Sequence, residues 1–159
     1  MSVLNSILKL FVGDKQQKDL KSLQPIVEKV QSFENSLSSL SNDGLRAKTI
    51  EFKSKIKDAT KSFTERITAL EEEALTADID RQEEIYTEVD KLKDEAYEAS
   101  EAVLLAIMPE AFALVKETAK RFTKNDELEV EATAFDRELS ATRDHITLEN
   151  DKAYWASSW

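Results

Sequence analysis

The feature that most constrains this chain is a pair of long apolar seams. Leu45, Thr49, Phe52, Ile56, Ala59, Phe63, Ile67, Leu70 and Ala74 recur at spacings of three and four residues, and so do Ile85, Val89, Leu92, Ala96, Ala99, Val103 and Ala106. Near-heptad spacing gathers each set into one stripe on one helix. Between the seams lies a short stretch, Leu75 to Asp80, in which Asp78 or Asp80 can cap the second helix. Two long helices joined by so short a turn fold back on each other, so residues 42–107 are predicted to form an antiparallel helical hairpin. Composition agrees: two glycines and two prolines leave little material for turns, and 34% charged residues with 8% aromatic ones favour long helices.

The predicted fold is therefore mainly α, a long helical hairpin or bundle, with a short β-hairpin-like segment at the C-terminal end. In the N-terminal helical region, residues 1–123, an amphipathic helix is expected over 1–12. There Val3, Leu4, Ile7, Leu8 and Phe11 share a face, Gly13 ends the helix, and Lys9, Lys15 and Lys18 follow the stripe. A second helix is expected over 14–38, kinked at Pro25, with a serine-rich turn before Ser41 caps the third. Pro109 should break the fourth helix and start a fifth over 109–123, whose apolar face is Phe112, Val115, Ala119 and Phe122. In residues 124–159 the period changes to two: Leu128, Val130 and Ala132 alternate with glutamates, and Ile146 with Leu148. Short strands follow from that, with a helical turn or two over 134–141 and a turn at Asn150-Asp151.

The net charge of −10 is unevenly spread, about +4 on residues 1–61 and −14 on 62–159. Glu71, Glu72, Glu73, Asp78, Asp80, Glu83, Glu84, Glu88 and Asp90 crowd the hairpin tip; the ordinary expectation is a solvated surface. The longest apolar run, Ala102 to Met108, is too short to span a bilayer. An apolar stripe beside lysines is, however, what an interfacial helix uses, so Leu4, Ile7, Leu8, Lys9, Phe11, Lys15 and Lys18 are the candidate membrane- or partner-contacting residues. Catalytic chemistry is not legible. Gly13 and Gly44 are isolated, so there is no phosphate-cradling loop. The single histidine, His145, cannot build a paired-histidine metal site, and it is expected as an ordinary exposed histidine of a strand. No basic patch with interleaved aromatics points to nucleic acid. No catalytic, cofactor-binding or metal residue is assigned.

Three stretches carry a resemblance. Pro109-Glu110-Ala111-Phe112-Ala113-Leu114-Val115-Lys116-Glu117, then Leu40-Ser41-Asn42-Asp43-Gly44-Leu45 running on to Glu51-Phe52-Lys53, and Leu8-Lys9-Leu10-Phe11-Val12-Gly13 occur here. In this order they resemble the start of the SecA family, the bacterial preprotein translocase motor ATPases. Gly44 stands where that family commonly has an acid, and residues 62–107 make a longer hairpin than many members have. The resemblance implies an ATP-driven motor that moves unfolded preproteins through the secretion channel, with ATP and Mg bound beyond Trp159, in an ATPase domain to which 124–159 leads. It implies a cytoplasmic protein, peripheral at the inner face of the cell membrane, with the channel, preproteins and an anionic membrane surface as partners. The seams are also compatible with a homodimer. The rival reading from the residues is a stand-alone coiled-coil adaptor without enzymatic activity; a helical-bundle enzyme is a third, disfavoured by the lack of site chemistry.

Overall fold

A computed structural model describes residues 19–158. Among them, residues 19–32 are helical (α1), followed by α2 (Glu34–Ser38), α3 (Asn42–Ala74), α4 (Ile79–Lys124), β1 (Glu127–Glu131), α5 (Ala134–Ser140), β2 (Ile146–Glu149) and β3 (Lys152–Ala156). The expected helix over 1–12 lies outside the described residues.

The hairpin forms as its sequence dictates. The Ser41 hydroxyl accepts from the Gly44 N–H at 3.0 Å and starts α3, while the Asp78 carboxylate accepts from the Arg81 N–H at 2.9 Å and starts α4. A Cβ on Gly44 would lie 3.2 Å from that of Leu40, so the smallest residue suits this crowded first turn. Leu70 and Ala74 pack on Ile85 and Val89 near the tip. At the base Leu45 and Phe52 meet Ala113, Leu114 and Leu37, which makes α3 and α4 antiparallel. Between these clusters Ile56, Ala59, Phe63, Ala96, Ala99 and Val103 are only half-buried. Two helices alone cover one stripe and leave its flanks wet.

The helix breaks differ from expectation in two places, with one at Phe33 inside the expected helix 14–38 and none at Pro109. Residues 19–32 run helically through Pro25, and the interruption comes at Phe33, whose N–H bonds the Val30 carbonyl in a tight turn that lets Phe33 reach the basal cluster. Nor does Pro109 divide the hairpin helix from a fifth: α4 passes through it unbroken. A proline inside a helix forfeits one backbone hydrogen bond. Here Ile107 before it and Ala111, Ala113 and Leu114 after it pack on one cluster, so both sides are held in a single register.

The C-terminal segment is larger than a hairpin. It is a three-stranded antiparallel sheet of order β1-β3-β2, with Leu128 opposite Trp155 and Val130 opposite Ala153. The β2–β3 turn is Asn150-Asp151, where Asn150 takes a φ of 54°. Leu128, Val130, Ile146 and Ala153 are buried.

Candidate functional site

The C-terminal third of α4 organises the base of the molecule. Because α4 is continuous, its seam continues past Val103 in the register set upstream, and Pro109, Ala113, Leu114 and Glu117 face inward. That register places glutamates in an apolar interface, and each has a partner. Lys48 Nζ lies 2.9 Å from Glu110, and its pKa is raised by Glu110 and then by Glu51. Burial pushes the Glu117 carboxyl up, but Lys120 and Arg121, each donating to it at 3.1 Å, together outweigh that and hold it below its ordinary value.

Arg121 does more than pair with Glu117. Its guanidinium donates to the carbonyls of Leu37 and Ser38 at 3.3 Å, of Leu40 at 2.7 Å, and to Asn42 Oδ1 at 2.8 Å. It thereby serves the open carbonyl end of α2 and of the turn into α3, groups that a helix C-terminus leaves unpaired.

The first turn of α3 holds the sheet. Asn42 donates to the Glu129 carbonyl and the Glu131 N–H donates to Asp43, both at 2.9 Å. Asp136 is fully buried. It accepts from both terminal nitrogens of Arg46, from Trp155 Nε1 at 2.9 Å, and from the Thr133 N–H and hydroxyl at 2.8 and 2.6 Å. The Arg46 guanidinium is the chief cause that holds this carboxyl far below the usual range; burial opposes it, and the Thr133 and Trp155 hydrogen bonds add to it. Arg46 also lies over the Trp155 ring, 5.7 Å from its centroid. The ring of His145, half-buried rather than exposed, meets Trp155 edge-on at 6.3 Å.

Between α4 and this sheet opens a groove of about 970 Å³, walled by Leu45 and Thr49 of α3, Leu114, Val115, Ala119 and Phe122 of α4, and Leu128, Val130 and Trp155 of the sheet. Its lining is mostly apolar. Of the apolar face of residues 109–123, Phe112 is 61% and Val115 67% exposed, while Phe122 is half-buried.

Leu4, Ile7, Leu8, Lys9, Phe11, Lys15 and Lys18 lie outside the described residues. Among the described residues no cluster of His, Asp and Glu could hold a metal ion, and no helix is long and apolar enough to cross a membrane.

Residues 8–137 match the family described as the SecA DEAD-like domain. This chain belongs to the SecA family. It is 58% identical over its whole length to the protein translocase subunit SecA of Christiangramia forsetii and 55% identical to that of Flavobacterium psychrophilum. The SecA subunit of Bacteroides fragilis is 38% identical over 98% of the chain. The chain spans 14% of the length of each of these relatives. No solved structure matches it. In this SecA segment the helix spacing and the caps were readable from residue types. Arg46, Asp136, Trp155 and the clasp of Arg121 were not, apart from the Thr133-x-x-Asp136 spacing of a capping box.

Proposed function

We propose that this chain is the N-terminal helical scaffold of an ATP-driven SecA-type motor that moves unfolded preproteins across the cytoplasmic membrane through the secretion channel. The observation that carries the reading is the full-length match to proteins named translocase subunit SecA, in which this chain corresponds to 14%. ATP and Mg belong, on this reading, to the remainder of the motor. The scaffold's own contribution is contact. Leu4, Ile7, Leu8 and Phe11 enter the interface of the inner membrane face or a partner there, while Lys9, Lys15 and Lys18 are each attracted to an anionic surface by roughly 1 kcal/mol. Co-sedimentation of the chain with anionic liposomes tests this against a Leu8→Asp, Phe11→Asp double variant. The variant should lose most of the bound fraction and added salt should weaken the parent; equal binding of the two would sink the contact role.

A further inference from the structure

Leu75 and Ile79 are 81% and 82% exposed, more than any other large apolar side chain among the described residues, and both sit at the hairpin tip. Leu75 closes α3 and Ile79 opens α4. Their exposure belongs to a fixed turn, not a loose one. Gln82 Nε2 donates to the carbonyls of Ala74 at 3.0 Å and Ala77 at 3.2 Å, and Asp78 caps α4. Arg81 bridges Glu73 and Glu84 at 2.8 and 2.9 Å. Beneath the turn Leu70, Ala74, Ile85 and Val89 fill the tip cluster, and Leu75 and Ile79 take no part in it. Glu83 and Tyr86 follow Ile79 by four and seven residues, so the three share one face of α4, with Tyr86 52% exposed.

Residues 71–84 hold seven carboxylates, at 71, 72, 73, 78, 80, 83 and 84, against one guanidinium, Arg81, a net charge of −6. Glu73 and Glu84 are engaged by Arg81, and Asp78 by the cap. Glu71, Glu72, Asp80 and Glu83 are exposed and make no ion pair among the described residues. Glu71 and Glu72 come one turn before Leu75, and Glu83 one turn after Ile79, so unpaired carboxylates flank the apolar pair from both helices. Acids alone would make an ordinary solvated tip; apolar side chains grouped among them mark an interaction surface.

We propose that the hairpin tip docks a basic amphipathic segment of a partner protein. Aliphatic side chains of that segment cover Leu75, Ile79 and Tyr86, and its lysines or arginines meet Glu71, Glu72, Asp80 and Glu83. The charge that chooses this occupant lies at the surface itself. Nucleic acid or an anionic bilayer would be repelled, and the tip of a second copy would set −6 against −6. Complementary charges speed encounter and set specificity, while the apolar contact supplies burial. At ~1.5 Å per residue, α3 carries this surface about 50 Å from Asn42, whose turn holds the sheet, so a partner reaches it without crossing the base.

The chain has no cysteine, so a single photoreactive reporter can be placed at Thr76→Cys in the tip or, as a control, at Lys57→Cys on the exposed side of α3. The probe is a labelled helical peptide of leucine and lysine, compared with versions carrying serine for leucine or glutamate for lysine. Saturable crosslinking is expected at Thr76→Cys and not at Lys57→Cys, weakened by salt and absent with the glutamate peptide. Half-saturation should need at least tenfold more peptide in Leu75→Ser, Ile79→Ser. The same is expected for Glu71→Gln, Glu72→Gln, Asp80→Asn, Glu83→Gln, with helix circular dichroism unchanged in both. The serine peptide gives the same reading on the unaltered chain, so the result does not depend on the variants folding. Equal crosslinking at the two positions, none at the tip, or serine and leucine peptides binding alike would each overturn the proposal. So would tip crosslinking that appears only after Leu8→Asp, Phe11→Asp, because the chain's own basic N-terminal segment would then be the occupant.

Discussion

Replacing Asp136 tests the junction between helices and sheet most directly. Its carboxylate is 0% exposed and joins Arg46 of α3, Thr133 at the start of α5 and Trp155 of β3. In Asp136→Asn the volume is kept, but one oxygen becomes an NH₂ that faces donors. Breaking a buried ion pair by removing one partner costs about 3–5 kcal/mol. The Arg46 side chain is 33% exposed and can be rehydrated, which argues for the low end. The expected loss is therefore about 3 kcal/mol, a drop of about 6–12 °C in Tm if the chain melts as one unit. Urea melts followed by helix circular dichroism and by Trp155 emission, in a Trp159→Phe background, show whether the sheet detaches first.

The same variant predicts a pH signature. The folded pKa of Asp136 is depressed below the unfolded carboxylate value of about 3.9. Its stabilisation is thus fully present above that pH and is lost as pH falls towards the folded value. The stability gap between parent and Asp136→Asn should be constant from pH 7 to 5 and narrow below about pH 4. A variant within 0.5 kcal/mol or so of the parent at pH 7, below the ~1 kcal/mol of even an ordinary hydrogen bond, would refute the hub. A gap unchanged at pH 3 would refute its electrostatic basis.

Two further substitutions probe α4. Arg121→Lys keeps the charge but loses the planar fork that reaches Leu37, Leu40 and Asn42, so about 2 kcal/mol of stability and about 4–8 °C in Tm should go. Faster amide exchange around residues 37–42 should accompany the loss, and unaltered exchange there would count against the clasp. Pro109→Ala should stabilise the chain by about 1–2 kcal/mol, because Pro is ~3 kcal/mol worse than Ala in a helix interior and the buried ring returns only part of that. A lowered melting temperature would mean that the ring's packing, not helix continuity, decides at this position.

Much of the fold is written locally. The seams that carry Leu70 and Ile85, the Ser41 and Asp78 caps, and the period-two alternation around Leu128 and Val130 each depend on neighbours a few residues apart, which spacing reveals. The sheet order β1-β3-β2 and the Arg46–Asp136 pair do not. The β1–β3 pairing and that ion pair join residues 21 to 90 positions apart through geometry that no local pattern records.

The reversed face of α4 follows from one physical competition. Read alone, residues 109–122 offer Phe112, Val115, Ala119 and Phe122 as the stripe to bury, and Pro109 as a fresh start that would free them to choose it. The helix instead continues, and continuity hands the choice of face to the longer seam upstream, from Ile85 through Val103. Extending that seam puts Glu110 and Glu117 inside, where a carboxylate survives only with partners. Lys48 and Arg121 supply them, and Arg121 couples that requirement to the loose carbonyls of the α2–α3 turn. The better hydrophobic stripe is thereby left on the surface. The result is an inward face on which Ala113 and Leu114 pack beside paired carboxylates, and an outward face on which Phe112 and Val115 stay exposed while Phe122 is half-buried.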